Sequence, residues 1–318
     1  MERRRIIMGE RRRPKIVVVA GPTASGKTAF AVEIARSLSG EIVNADSMQV
    51  YRGMDIGTAK PTRAEQKGIP HHLLDVVQPD EDFNAAIYRR MALPIVTDIC
   101  SRGKACLVVG GTGLYIRALL GGLMKSPPSD PGLREALHTE CDAHGVQRLH
   151  EELKERDPEY AKRIHPNDKT RIIRALEIIR LSNRRSSDLM WQHGFRDRSL
   201  DALKICLNVE REELYRRINE RSMVMADMGL LNETQHLLNK GYSPDLKPMK
   251  AIGYRHMVRY LQGKGSFRET IETLKRDTRR YAKRQITWFK AEPDVIWIDP
   301  NDVDMVIRDI ELFLSESA

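Results

Sequence analysis

KIVVVAGPTASGKT, from Lys15 to Thr28, decides the fold. After Lys15 comes a short apolar, β-branched run that ends at a glycine, and it reads as a buried parallel strand. Gly21 to Thr28 then match the phosphate loop G-x-x-x-x-G-K-[ST], and Ala29 to Leu38 continue as a helix. Gly21 and Gly26 let the backbone wrap close round an anion. Pro22, Thr23, Ala24 and Ser25 complete the loop, whose amide N–H groups point inward at a helix N-terminus. Lys27 supplies a point charge to phosphates, and the Thr28 hydroxyl is placed to ligate Mg²⁺. The motif specifies a diphosphate or triphosphate; it does not specify a nucleotide.

Outward from this loop, apolar strand-like runs recur at Glu41–Ala45, Ala105–Val109, Lys204–Val209 and Asp294–Ile298, with helical segments between them. That alternation predicts an α/β doubly wound parallel sheet flanked by helices. One stretch breaks it. KSPPSDPG from Lys125 is a Pro-rich linker, and helical patterns follow over Gly132–Ala143, Val146–Arg156 and Asp168–Leu181 without strands. We expect an all-helical insertion over residues 125–200, a core domain over 14–124 and 201–318 with four or more helices after Glu210, and a basic arm over 1–13. The last strand-like run is expected to return to the sheet or its edge.

The 318 residues carry 53 Lys and Arg against 44 Asp and Glu, a net charge of +9 that leans towards a polyanionic partner. A hydrophobic fraction of 41% suffices for a core. No apolar run approaches the roughly 20 residues of a membrane span. The start, MERRRIIMGERRRPK, lacks the apolar stretch of a secretory signal. Cys100, Cys106, Cys141 and Cys206 form no CxxC pair, which argues against a zinc ribbon and fits a reducing, cytoplasmic setting.

Two further segments follow strand ends, where open α/β sheets bind ligands. Asp46-Ser-Met-Gln-Val-Tyr51 places Asp46 toward the phosphate-loop crevice. Asp46 could hold a metal through water, act as a general base, or cap a turn. Val109-Gly-Gly-Thr-Gly-Leu-Tyr115 presents Thr112 behind glycines that allow close backbone approach, and a strand ending in GGT is unusual for an ATPase.

GPTASGKT, NADSMQVYRGMDIGTAKP and VGGTGLYIRALL together resemble the bacterial transfer RNA dimethylallyltransferases. The resemblance continues through PHHLLD at 70–75, IHPNDKTRIIRALEI at 164–178, AIGYRHM at 251–257 and YAKRQITWFK at 281–290. It implies a P-loop NTPase-like core and prenyl transfer from dimethylallyl diphosphate to N6 of the adenine next to the anticodon of tRNA, with Mg²⁺ and with diphosphate as leaving group. The phosphate loop would then hold that diphosphate instead of ATP. By the resemblance, Asp46 matches the general base, Thr112 a residue beside the bridging oxygen, and Arg221 a diphosphate contact. Arg217 lies one turn from Arg221 and could aim at the same anion. Asp46, Ser47, Met48 and Gln49 match the segment beside the flipped base, and Thr112 is counted with the tRNA contacts as well. Thr170, Arg171, Ile172, Ile173 and Arg174 match a second RNA-contacting segment, and Arg134 a further contact. Thr170 stands where the family often has Gln. The eukaryotic members carry a C-terminal zinc finger, which the four scattered cysteines do not supply, so a bacterial-type, monomeric, cytoplasmic enzyme is expected.

Independently of the resemblance, residues 274–290 hold seven basic residues and one acid. Arg276, Arg280, Lys283 and Arg284 share one side of a helix, and Tyr281, Gln285 and Trp288 form an adjoining stripe. Arg280, Arg284 and Gln285 are therefore expected RNA contacts, with Trp288 either among them or in the core. His71 and His72 are expected to pack or cap locally. A small-molecule kinase and a non-catalytic RNA-binding nucleotide switch also fit the phosphate loop. The GGT strand end and the basic helix weigh against the first, and Asp46 placed with Thr112 weighs against the second. Prenylation of free adenosine nucleotides is the nearest rival, and it predicts turnover without RNA.

Overall fold

The computed structural model describes residues 13–193, 197 and 199–316, without the side chains of residues 191–193. Apart from Arg13, the expected basic arm lies outside the described residues. Along the chain run β1 (Lys15–Ala20), α1 (Lys27–Ser37), β2 (Glu41–Asn44), α2 (Arg63–Gln66), β3 (His71–His72), α3 (Ala85–Ser101), β4 (Cys106–Gly110) and α4 (Gly113–Gly121). Then come α5 (Pro131–His144), α6 (Val146–Arg156), α7 (Pro158–Ala161), α8 (Lys169–Ser182) and α9 (Ser186–His193). After them follow β5 (Asp201–Leu207), α10 (Arg211–Asp227), α11 (Leu230–Asn239), α12 (Tyr254–Leu261), α13 (Phe267–Lys290), β6 (Val295–Ile298) and α14 (Val303–Ser315). The chain divides into two compact units, with Gly121–Asp197 forming the second.

The first unit is built on a six-stranded sheet of order β3-β2-β4-β1-β5-β6. Every pairing is parallel, with Ala20 opposite both Gly110 and Cys206, and Asn44 opposite Val109. The carboxyl ends of β1, β2 and β4 therefore open on one edge. Val17, Val19, Leu107, Ile205 and Leu207 from the strands pack on Phe30, Ile34 and Ile310, all nearly or fully buried. Strands covered on both faces must be apolar at consecutive positions, which is why β1 and β4 read as continuous runs.

Sequence periodicity did not reveal β3. It is a two-residue edge strand of half-buried histidines, pairing Ile42 with His71 and Val43 with His72. His71 Nδ1 lies 2.8 Å from Ile69 O and His72 Nε2 lies 2.9 Å from Glu41 Oε2. Glu41, buried at the start of β2, also accepts from Arg102 at 2.6 and 2.9 Å and from Lys104 at 2.7 Å. These donors, Arg102 foremost, hold its carboxyl well below the usual carboxylate range. This ion cluster sits at the end of the sheet away from the phosphate loop.

The second unit is helical, with Leu137, Leu149, Leu153, Ile172, Ile173, Leu176 and Ile179 forming its own core. Asp130 caps α5 through Leu133 N at 2.8 Å, and Asp168 caps α8 through Arg171 N at 3.1 Å. Glu177 is fully buried yet saturated. It accepts from Ser129 Oγ, Asp130 N, Arg134 and Arg174 at 2.7–2.9 Å. Arg174 also donates to Ser126 Oγ at 2.9 Å and Pro127 O at 2.8 Å. The Pro-rich stretch is thus folded back on α8 by one carboxylate and two guanidinium groups.

Candidate active site

The phosphate loop leaves β1 through Gly21 at φ 148° and turns into α1 through Ala24 at φ 64° and Gly26 at φ 90°. The left-handed angles at Ala24 and Gly26 bend the loop so that its amides can converge on an anion. Ser25 N donates to Pro22 O at 3.3 Å and Lys27 Nζ to the same carbonyl at 2.6 Å. Burial pushes the Lys27 ammonium down to about 8. Asp46 opposes this shift, while Arg221 adds to it. Burial also lowers the Arg221 pKa, again against Asp46. Lys27, Arg221 and Asp46 thus share one electrostatic neighbourhood, although Arg221 lies far along the chain on α10. Pro22, Thr23, Ser25 and Thr28 stand in the same loop and first helical turn. Arg217 does not join this cluster. Its Nε donates to Glu213 Oε1 at 2.6 Å on its own helix.

The segment after β2 is held by its own side chains. Asp46 N donates to Asn44 Oδ1 at 3.2 Å, and Asp46 Oδ1 accepts from Met48 N at 2.8 Å and Gln49 N at 3.4 Å. Asp46 therefore does cap a turn, but with one oxygen; Oδ2 takes no hydrogen bond from any described residue. The adjoining strand end is stitched to this turn. Thr112 N donates to Ala45 O at 3.2 Å, and Ser47 N donates to Thr112 Oγ1 at 3.0 Å. The Thr112 hydroxyl accepts in that bond, so its proton is free to donate elsewhere. Gln49 Nε2 donates to Thr58 O at 3.2 Å and Ala59 O at 3.1 Å, which leaves Oε1 as its outward acceptor.

Close approach, not turn conformation, explains two glycines of the GGT segment. A Cβ on Gly111 would lie 2.1 Å from Gln285 Nε2, and one on Gly113 would lie 2.0 Å from Trp288 Nε1. Both partners belong to α13. Gln285, expected among the RNA contacts, is buried and engaged at both ends. Its Oε1 accepts from Thr23 N at 2.8 Å and its Nε2 donates to Gly111 O at 3.0 Å. Buried between the loop and the turn, this amide is turned to the protein's own backbone and not to an outer RNA surface. Trp288 packs inward with Arg117 4.3 Å above its ring.

The rest of α13 presents Arg276, Arg280, Lys283 and Arg284 as an exposed row, with Arg280 66% exposed and Arg284 5.6 Å over the Tyr281 ring. In the helical unit, Thr170 and Arg171 are exposed at the start of α8. Ile172 and Ile173 are core, because α8 is buried around most of its circumference from residue 172 on, so their side chains cannot contact RNA. Arg134 and Arg174, also expected to contact RNA, are paired with Glu177 and half-exposed, so any RNA contact would come on top of that structural bond.

Sequence reasoning missed Glu233. Its carboxylate accepts from Asp55 N at 2.9 Å, Ile56 N at 2.8 Å, Gly57 N at 3.0 Å and Tyr254 Oη at 2.6 Å. This fixes the segment whose next two carbonyls receive Gln49. Gly57 is required here, since a Cβ would lie 2.5 Å from the Tyr254 ring. The GYR of AIGYRHM was the available signal, but nothing local tied it to Glu233.

Residues 49–292 match the family model described as IPP transferase. The chain is 52% identical over 285 residues to tRNA dimethylallyltransferase 2 of Geotalea uraniireducens, covering 90% of this chain and 92% of that one. It is 50% identical over 293 residues to the tRNA dimethylallyltransferase of Geobacter sulfurreducens, covering 92% and 94%. Among solved structures, the tRNA isopentenylpyrophosphate transferase of Bacillus halodurans superposes with a TM-score of 0.72 at 41% identity, covering 95% and 97%. A eukaryotic dimethylallyltransferase acting on tRNA superposes with a TM-score of 0.78 at 28% identity, covering 93% of this chain and 77% of that one.

Proposed function

The chain belongs to the IPP transferase family, and from that premise we propose that it transfers a dimethylallyl group from dimethylallyl diphosphate to N6 of the adenine next to the anticodon of tRNA. The observation that carries this reading is the joining of a phosphate loop to a base-and-hydroxyl pair. Asp46 and Thr112 are tied through Ser47 N at 3.0 Å, beside Lys27 and Arg221. A non-catalytic nucleotide switch needs no such base beside its phosphates.

In this mechanism the adenine N6 attacks C1 of the donor. The C–N bond forms as the C–O bond to diphosphate breaks, and the N6 proton passes to the free Oδ2 of Asp46. An exocyclic amine is a weak nucleophile, so removing its proton during attack lowers the barrier. Lys27, Arg221 and the loop amides take up the charge that develops on the departing diphosphate. The Thr112 hydroxyl proton is directed to the bridging oxygen. Gln49 Oε1 is the acceptor suited to an adenine amino group.

Mg²⁺ fits the donor set. Among the described residues no three His, Cys, Asp or Glu side chains cluster as an all-protein cage. A hard ion here would rest on the Thr28 hydroxyl, diphosphate oxygens and water, which is how Mg²⁺ is commonly held. When bound it would neutralise charge on the leaving group.

Within the first unit, the exposed row on α13 is suited to the tRNA backbone; within the helical unit, Thr170 and Arg171 at the start of α8 are suited to a contact of their own. No helix among the described residues is long and apolar enough to cross a membrane. The reading puts the activity in the cytoplasm, on a monomer. The test is transfer of label from dimethylallyl diphosphate, with Mg²⁺, to unmodified tRNA, with AMP and ADP as parallel acceptors. Label in tRNA alone is expected. Label in the nucleotides would move the chain to nucleotide prenylation, and label in neither would refute prenyl transfer.

A further inference from the structure

The Gln285 amide joins the phosphate loop to the GGT turn by a hydrogen bond at each end, 2.8 Å to Thr23 N and 3.0 Å to Gly111 O. It is only 5% exposed, towards the C-terminal end of a 24-residue helix whose outer row is basic. The fit is built from both sides. A methyl on Gly111 would overlap Nε2 at 2.1 Å, so the turn is shaped to admit this amide. One turn earlier, Ala282 is buried against Leu214 and Ile218 of α10, the helix that carries Arg221. A single helix therefore braces the loop, the turn beside Thr112 and the helix bearing the distant arginine.

We propose that Gln285 is a positioning residue for prenyl transfer, holding Thr23 of the phosphate loop and Gly111 beside Thr112 in one register. The proposal rests on the diphosphate reading of the loop. The amide is chemically suited to the task because the two backbone groups need opposite partners. Thr23 N–H needs an acceptor and Gly111 C=O needs a donor, and only an amide or a protonated carboxyl offers both at this spacing. A carboxylate would keep the first bond and set like partial charges against each other at the second. Donor and hydroxyl would then lose their mutual alignment, with little change in how tRNA is held outside.

The test is Gln285→Glu, compared with wild type between pH 5.5 and 8.5. At high pH kcat should fall about 30-fold, the cost of facing the buried Gly111 carbonyl with a carboxylate in place of its donor, with KM for tRNA within about twofold. As pH falls and the new carboxyl protonates, the deficit should shrink, because the neutral acid restores the donor–acceptor pair. A deficit that does not change with pH, or a wild-type kcat, would overturn the proposal. Should Gln285→Glu fail to fold, Gln285→Ala and Gly111→Ala serve as a double-mutant cycle read by calorimetry with inorganic diphosphate. The methyl at Gly111 should cost much less affinity once the Gln285 amide is gone. Strict additivity would overturn the proposal without any reference to turnover. Failure of the wild-type chain to bind diphosphate would instead strike the reading of the loop.

Discussion

Raising the pH through 8 should weaken binding of diphosphate, and the cause is Lys27. Burial lowers its pKa from 10.5 to about 8, with Arg221 adding to the shift and Asp46 opposing it. Below pH 8 the ammonium is already charged and meets the anion directly. Above it, the free protein holds a neutral amine, whereas the diphosphate-bound protein favours the ammonium because an anion raises the pKa again. Binding must then take up a proton, and affinity falls by up to tenfold for each pH unit, about 1.4 kcal/mol. At pH 9 only about one-tenth of the free protein carries the charge, so the dissociation constant should be about tenfold higher than at pH 7. Calorimetry with inorganic diphosphate from pH 7 to 9.5, in two buffers of different ionisation enthalpy, measures both the slope and the proton uptake. Lys27→Met supplies the control for titration of the ligand itself. A wild-type dissociation constant that stays flat above pH 8, or the same slope in Lys27→Met, would refute the reasoning.

Asp46→Asn keeps an oxygen for Met48 N and removes the base, so turnover should fall about 10²- to 10⁴-fold while tRNA affinity stays within about threefold; unchanged single-turnover chemistry would take the base role away. Arg280→Ala with Arg284→Ala should weaken tRNA binding and reduce the magnitude of the log K against log salt slope by about 1 to 2, as filter binding across a salt series would show. Glu177→Ala strands two guanidinium groups and the Asp130 amide in the helical unit, and should destabilise that unit by about 3–5 kcal/mol in urea titration. Glu233→Ala frees three backbone N–H groups from their carboxylate; KM for tRNA should rise several-fold with diphosphate affinity unchanged, and calorimetry against steady-state kinetics separates the two.

The parts of the site that were legible are those whose meaning is local. A phosphate loop is read from eight consecutive residues because its function is a backbone shape, and that shape needs glycine at fixed spacing. The strands of the sheet centre were legible for a related reason, since burial on both faces forces continuous apolar runs. What stayed hidden is non-local pairing. Glu233 is separated from the amides it receives by 176 to 178 positions, and no periodicity links them. The two histidines of β3 show no apolar run, because an edge strand of two residues buries too little to require one. Arg174 was partly readable, as Glu177 stands three residues on, the distance at which helical side chains meet.

Gln285 shows how far a helical face can be read. The spacing correctly separated an exposed basic row from an adjoining stripe, but it could not say whether that stripe meets RNA or the protein's own backbone. The glycines supply the missing constraint. Gly111 and Gly113 have no room for a Cβ because Gln285 and Trp288 occupy it, so the GGT turn and α13 have to be read as one feature. Asp46 lies on the same framework. Its turn is bonded to Thr112 through Ser47, Thr112 adjoins Gly111, and Gly111 reaches the phosphate loop through Gln285. A chain of hydrogen bonds, each between 2.8 and 3.0 Å, thus runs from the carboxylate that would take the proton to the loop that would receive the leaving group. In a direct displacement these two events occur together, and a rigid connection between their sites is what holding both ends of the reaction in line requires.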